Sequence, residues 1–422
     1  MLDPKFIREH QDAVRRNIVN RGVSVDFERW LGLDAERLSL LQGIERQRAE
    51  RNAVAGKMAA ASPADRPSLI EQGKKLKEEL ASAEEAFKTV DSPWQAILLT
   101  IPNMAHPEAP FGLTDADNAE LRIVGEVRKI ENPKDHVALC EMHDWVDFER
   151  AAKVSGAKFY YLKNDLVLLE QALVRFALET LKKEGFTLLQ TPDLAKDEVI
   201  VGTGFAPRGN ETQIYSIENS DLSLVGTAEI TVGGYHKDEI LDAEKLPLKY
   251  AGLSHCYRTE AGAYGKESYG LYRVHQFTKV EMFAFTTPEQ SEAVHRDLLR
   301  VEEYIFQQLE IPYRVINICV GDLGGPAYRK YDLEAWMWGR ESGKGGWGEV
   351  TSASNCTDYQ ARRLNIRTKN AEGTSVFAHT LNGTAISLCR AMIAFLENHQ
   401  QPDGSIRIPK ALVPYFGAER MG

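Results

Sequence analysis

Several features that would assign a chain to a large class are scarce or missing here. The 422 residues hold only 5 cysteines, Cys140, Cys256, Cys319, Cys356 and Cys389. They are scattered and odd in number and include no CxxC pair, so neither a disulfide framework nor a zinc signature is expected. That usage fits a reducing compartment and buried free thiols. No run of about 18 apolar residues occurs, which excludes a membrane-spanning helix. The opening MLDPKFIREHQDAV has acidic residues and no apolar core, so no targeting leader is expected and the reading is cytoplasmic. Both common phosphate loops are also missing. The glycine-rich run IVGTGFAPRGNETQIY has no GK[ST], and in GRESGKGGWG the residue after Gly343 and Lys344 is Gly345. No dinucleotide-binding fingerprint follows a strand. A nucleotide would have to lie on a floor of strands, with arginines holding its phosphates. Positive charge is not in excess either, since the net charge is −10. Nucleic-acid contact needs only a local basic surface, so that balance neither supports nor excludes RNA.

What is present is ordinary globular material, 43% hydrophobic and 27% charged, in a chain long enough for two or three domains. After a small helical start, residues 34–61 favour helix, with Leu41, Ile44, Ala55 and Met58 on one stripe. A turn with two prolines, SPADRP, follows. Then Leu69, Leu76, Leu80, Ala83, Phe87, Val90, Trp94, Ile97 and Ile101 recur at alternating spacings of four and three, interrupted by Gly73. Two such helices predict an antiparallel coiled-coil hairpin about 40 Å long, with Pro93 kinking its second helix. Arg46, Arg48, Arg51, Lys74, Lys75 and Lys77 offer it a basic edge, offset by Glu78, Glu79, Glu84 and Glu85. A scaffold coil and a partner-touching arm are equally compatible with that pattern. Pro102, Pro107 and Pro110 mark an irregular linker and the domain boundary.

The chemistry concentrates in residues 257–285, YRTEAGAYGKESYGLYRVHQFTKVEMFAF. Residues 271–285 read as a strand, with Arg273, His275, Phe277, Lys279 and Glu281 on one face. Val274, Val280 and Met282 point the other way, into a core. Four residues of strand span about 13 Å, so Phe277 and Glu281 could hold opposite ends of one elongated small molecule. Arg258 and Glu260 share a face of a second short strand, and the glycine-bearing residues 261–270 pair the two as a hairpin. Residue types alone favour a salt-bridged surface hairpin.

This stretch resembles motif 2 of the class II aminoacyl-tRNA synthetases, most closely that of the seryl-tRNA synthetases, and the likeness covers nearly the whole chain. IPNMAHPEAP and residues 134–162 resemble the same family's path from arm to catalytic domain. The helix-favouring residues 168–184, followed by FTLLQTP, look like motif 1, which builds the dimer interface. Gly226-Thr227-Ala228-Glu229 matches a TAE segment, although Thr227 could simply cap a helix. GEVTSASNCTDYQARR matches closely. Residues 379–400, a glycine turn entering a helix with Arg390, resemble motif 3, and GSIRIPKALVPY matches the C-terminal segment.

The resemblance implies an α+β fold: a coiled-coil arm in an N-terminal tRNA-binding domain, residues 1–105, and a class II catalytic domain on an antiparallel sheet flanked by helices, residues 106–422. It implies a homodimer that activates L-serine with ATP and Mg²⁺, without zinc. The seryl group then passes to tRNA(Ser), with tRNA(Sec) as a second candidate. Arg258, Arg273 and Arg390 are the implied catalytic residues. Arg258 bridges the α-phosphate and the serine carboxylate, Glu260 accepts from the adenine amino group and Phe277 stacks on the ring. Arg273 and Arg390 clamp the outer phosphates, while Glu349 and Ser352 sit with ATP-bound Mg²⁺. Thr227, Glu229, Arg258, Glu281, Asn382 and Thr384 bind serine, and the six arm cations meet tRNA. A pocket that hydrogen-bonds a hydroxyl rejects alanine by up to roughly 10⁴–10⁵-fold. Carboxylates Asp332 and Glu334 alternate on a strand and suit surface charge better than Glu349 does. Tyr269 stands where many family members carry arginine, and the loop of residues 340–346 is longer than in many. Two other classes remain in view, a non-catalytic RNA-binding scaffold and a ligase acting on a carrier protein. The retained ATP-contacting residues disfavour the first and the arm disfavours the second.

Overall fold

A computed structural model describes residues 1–205, 213–260, 269–370 and 372–422. Part of the glycine-rich run and most of the expected hairpin turn therefore lie outside the described residues. The chain divides into two compact units, Met1–Pro102 and Asn103–Gly422.

In the first unit two short helices, Pro4–Glu9 and Gln11–Asn20, precede two long ones, Phe27–Ala60 and Arg66–Thr100. The first long helix starts earlier than expected because the Asp26 carboxylate caps it, accepting from the Arg29 N–H. At 34 and 35 residues the pair is about 51 Å long by rise per residue, not 40 Å. The second helix runs on through Pro93. Its heptad faces inward, with Leu76, Leu80, Val90 and Trp94 buried. On the opposite helix the stripe shifts by one residue: Ala55 is exposed and Val54 is buried. Gly73 lies against Val54, where a Cβ would make an ordinary contact at 3.9 Å. Buried Asp34 accepts from Trp94 Nε1 at 2.9 Å and pairs with Arg8 at 3.1 Å, so the carboxylate inside the coil is satisfied.

The second unit is built on an eight-stranded sheet. Its strands in chain order are Ala119–Val124 (β1), Thr187–Gln190 (β2), Leu248–Tyr257 (β3), Gln276–Thr286 (β4), Tyr313–Asn317 (β5), Arg329–Met337 (β6), Gly346–Asn355 (β7) and His379–Ser387 (β8). Their order across the sheet is β1-β5-β6-β7-β8-β4-β3-β2. Every neighbouring pair is antiparallel except β2 and β3, which run parallel. One face packs against the helices Asp165–Lys183, Ser291–Gln308 and Leu388–His399, burying Val280, Met282, Leu333, Ala353 and Leu381. Full burial of such aliphatic side chains is worth about 1.5–3 kcal/mol each, so this face anchors the sheet. The other face carries the polar residues.

Three local expectations are corrected. Strand β4 begins at Gln276, so Arg273 and His275 precede it. Strand β3 ends at Tyr257, and Glu260 adopts φ +46°, so Arg258 and Glu260 lie beyond a strand rather than on one. Gly383 sits inside β8 rather than in a turn. A Cβ at that position would come within 2.9 Å of Glu302 Oε1, so the glycine admits the helix to the sheet. Among the described residues, no helix is long and apolar enough to cross a membrane.

Candidate active site

The polar face of the sheet floors two compartments that meet. The smaller is lined by Arg258, Glu260, Tyr272, Arg273, Phe277, Glu349 and Arg390 among others. The larger is lined by Thr227, Glu229, Glu281, Ser352, Asn382 and Cys356 among others. Arg258, Lys279, Glu349 and Thr384 line both. The strand period brings them together. Phe277, Lys279 and Glu281 follow one another on the same face of β4, and Thr384 of β8 stands opposite Glu281.

In the smaller compartment Arg390 emerges from the first turn of the helix after β8 and meets Glu349 of β7 at 3.1 Å. Burial works to raise the Glu349 carboxyl, but the charges of Arg390 and Lys330 overcome it and hold the group at about 2. Arg390 also lies over the Tyr272 ring, 4.7 Å from its centroid. Arg258 lies 5.4 Å from the Phe277 centroid and 5.9 Å from that of Phe205, while its Nε donates to the Gly226 carbonyl at 3.3 Å. Arg273 pairs with Glu260 at 3.2 Å. Cation and aromatic faces therefore alternate along a slot open to a flat, anionic molecule.

The larger compartment has the opposite character. Glu229 accepts from Gln360 Nε2 at 2.7 Å and from Asn382 Nδ2 at 2.9 Å. Burial, reinforced by the Glu281 charge, pushes the Glu229 carboxyl up to about 7. Glu281 is ion-paired with Lys279 and accepts from Thr384 Oγ1 at 3.4 Å. Thr227 caps the helix Ala228–Gly233, accepting from the Glu229 N–H at 3.2 Å, so its helix-cap role and its place in the wall coincide. Two carboxylates with amide and hydroxyl neighbours suit a small cation that also carries a hydroxyl.

All the expected catalytic-unit residues line these two compartments. Asp332 departs from its expected surface role: it is buried, pairs with Lys330 at 3.0 Å, and stands opposite Ser352. Burial pushes its carboxyl up to about 7 against the pull of Lys330. Glu334, one pleat further, pairs with Arg314 near the surface. Lys330, Gln360, Tyr272 and Phe205 were not singled out from sequence. Lys330 shares the period-two pattern of Asp332, which is the signal that could have found it. In the other unit all six arm cations are exposed, with Arg48 paired to Glu84 and Lys75 to Glu79. Among the described residues, no group of three or more His, Cys, Asp or Glu side chains is arranged to hold a metal ion.

The family model of the tRNA synthetase class II core domain (G, H, P, S and T) matches residues 213–399, and that of the seryl-tRNA synthetase N-terminal domain matches residues 1–105. The chain belongs to the seryl-tRNA synthetases. A serine–tRNA ligase of Treponema denticola is 54% identical over 424 residues, with 100% of each chain covered. One from Rubrobacter xylanophilus is also 54% identical, covering 100% of this chain and 99% of its own. Among solved structures, the Pyrococcus horikoshii seryl-tRNA synthetase complexed with ATP superposes with a TM-score of 0.89 at 41% identity, covering 100% of this chain and 99% of that one. The cytoplasmic serine–tRNA ligase of Naegleria fowleri, in complex with AMP, gives 0.86 at 29% identity, covering 100% and 98%. This synthetase is accordingly an enzyme, a class II serine–tRNA ligase, and not a scaffold or a carrier-protein ligase.

Proposed function

We propose that the two joined compartments activate L-serine with ATP and deliver it to tRNA(Ser), with tRNA(Sec) as a second substrate. One observation carries this reading: Arg258 and Glu349 line both a slot of arginines and aromatic rings and a pocket of carboxylates, amides and hydroxyls. A nucleotide in the first and an amino acid in the second would meet at Arg258. There the guanidinium bridges the α-phosphate and the serine carboxylate. A carboxylate oxygen of serine attacks the α-phosphorus, an O–P bond forms, and pyrophosphate leaves with the broken bond's electrons. The tRNA terminal ribose hydroxyl then attacks the seryl carbonyl and AMP leaves. Both steps depend chiefly on positioning and charge stabilisation.

Phe277 stacks on the adenine, Glu260 accepts from its amino group, and Arg273 and Arg390 hold the outer phosphates. Glu229, Glu281 and Asn382 take the serine ammonium, and Thr384 and Thr227 complete the pocket. A Mg²⁺ ion fits Glu349 and Ser352, because a carboxyl held at about 2 stays ionised and that ion favours few carboxylates beside phosphate oxygens. Bound there with ATP, it would offset phosphate charge.

Residues 1–105 form the tRNA-binding domain in this reading, through the exposed cations Arg46, Arg48, Arg51, Lys74, Lys75 and Lys77. Residues 106–422 form the catalytic domain. The homodimer follows from the resemblance of residues 168–192 to motif 1, which builds the dimer interface in class II enzymes. The enzyme acts in the cytoplasm. The test is serine-dependent ATP–pyrophosphate exchange, with alanine, threonine, cysteine and glycine alongside, followed by tRNA charging. Exchange with serine and little with alanine is expected. A folded protein that binds ATP but exchanges with no amino acid would overturn the reading.

A further inference from the structure

Beside the nucleotide slot lies a buried pair that the mechanism above does not use. Glu397, in the helix Leu388–His399, is fully buried and accepts three hydrogen bonds. They come from the His136 N–H, from the His136 ring at Nδ1 and from the Gly339 N–H, each at 2.9 Å. Because the acceptor faces Nδ1, that nitrogen carries the ring proton. Nε2 is then a lone-pair acceptor, and the Leu271 N–H donates to it at 3.2 Å.

The neighbouring backbone is shaped around this ring. Gly270 has φ +62°, and a Cβ there would lie 2.1 Å from His136 Nε2. Past Leu271, Tyr272 and Arg273 line the nucleotide compartment. Arg390 lies 4.7 Å and Arg340 lies 5.1 Å from the Tyr272 ring centroid, and the Tyr272 hydroxyl donates to the Glu349 carbonyl at 3.4 Å. Gly339, held by Glu397, immediately precedes Arg340. One buried carboxylate thus ties down both segments that converge on Tyr272.

We infer that His136 and Glu397 are positioning residues for ATP. The ring fixes Leu271, and through it Tyr272 and Arg273, while the carboxylate fixes Gly339 and hence Arg340. This rests on the ATP reading of the smaller compartment. It also gives the long loop after Gly339 a purpose, since Arg340 closes one side of the tyrosine.

The test varies ATP and serine separately in the exchange reaction of the full-length enzyme. His136→Asn keeps a donor toward Glu397 but ends short of Leu271, whereas His136→Gln reaches with a carbonyl acceptor. The asparagine variant is expected to raise KM for ATP about tenfold, the scale of one lost buried hydrogen bond, with KM for serine within about twofold. The glutamine variant should recover most of that loss. Thermal unfolding and active-site titration count the folded fraction, and a merely structural loss lowers rate per mole while leaving both KM values alone. An unchanged KM for ATP in folded His136→Asn, or an equal rise in both KM values, overturns the inference. If neither histidine variant folds, Arg340→Ala decides: KM for ATP should rise about threefold, and no rise overturns it. Wild-type enzyme without serine-dependent exchange would instead sink the ATP reading itself.

Discussion

Arg390 Nη1 lies 3.1 Å from the Glu349 carboxylate and 3.1 Å from the Glu349 carbonyl oxygen. One guanidinium from a helix start therefore grips a strand residue by side chain and backbone together. The charge of that arginine, with Lys330, outweighs burial and keeps Glu349 at about 2. Such a depressed carboxyl contributes stability that is present above the unfolded value and lost only as pH falls toward 2.

Glu349→Gln should therefore lower exchange activity by about 10²–10³-fold by a factor that does not change between about pH 5 and 9. Rates of the variant and the wild type across that window check it. A defect that disappeared at the acid end would show that Glu349 is already protonated there.

Glu229 behaves in the opposite sense. Its carboxyl rises from 4.5 to about 7, so in the folded enzyme it is neutral at mildly acid pH. The stability cost is absent below about 4.5, grows from there and is complete above about 7. Binding of an ammonium needs the ionised form, so KM for serine should fall as pH rises through about 7. Glu229→Gln should raise that KM and remove the inflection. An inflection that survived in full would belong to Asp332, which is also pushed up to about 7.

Gln360 holds Glu229 in place from behind. Its amide donates to Glu229 at 2.7 Å and to the Thr203 carbonyl at 2.8 Å, and its oxygen accepts from Thr380 at 2.7 Å. Gln360→Leu should strand the Thr203 carbonyl and the Thr380 hydroxyl, leave Glu229 with Asn382 as its remaining amide donor, and destabilise the protein by about 2–4 kcal/mol in urea unfolding. KM for serine should rise about tenfold while KM for ATP stays near its starting value. A stable variant with normal serine binding would remove Gln360 from this role.

The arm prediction separates the two steps. Arg51→Glu, Lys74→Glu and Lys77→Glu together should raise KM for tRNA about tenfold or more and flatten its salt dependence. KM for serine in the exchange reaction, which needs no tRNA, should keep its wild-type value. Charging with an unchanged KM for tRNA would place the tRNA contact elsewhere.

Much of this was readable from local patterns. The alternation of Phe277, Lys279 and Glu281 against Val280 and Met282 assigned two faces to β4 before any pairing was known, because side chains on a strand must alternate. The heptad from Leu69 to Ile101 likewise specified a long helix with one buried stripe. Side-chain chemistry alone did not mark the arginines and aromatic rings as a nucleotide site, since the same residue types suit a solvated surface hairpin; the likeness to motif 2 supplied that expectation.

Tertiary structure decided what depends on neighbours distant in sequence. Asp332 reads as an exposed carboxylate, yet β6 lies between β5 and β7, which buries it and lifts its carboxyl. Glu260 reads as a strand residue, but its φ of +46° turns it out of the ladder and toward Arg273. Gln360 reaches Glu229 across 131 residues of sequence, and His136 reaches Glu397 across 261. No local period encodes such pairs. They exist because folding brings a donor and an acceptor into one dry space, where leaving either unpaired costs more than ordering both.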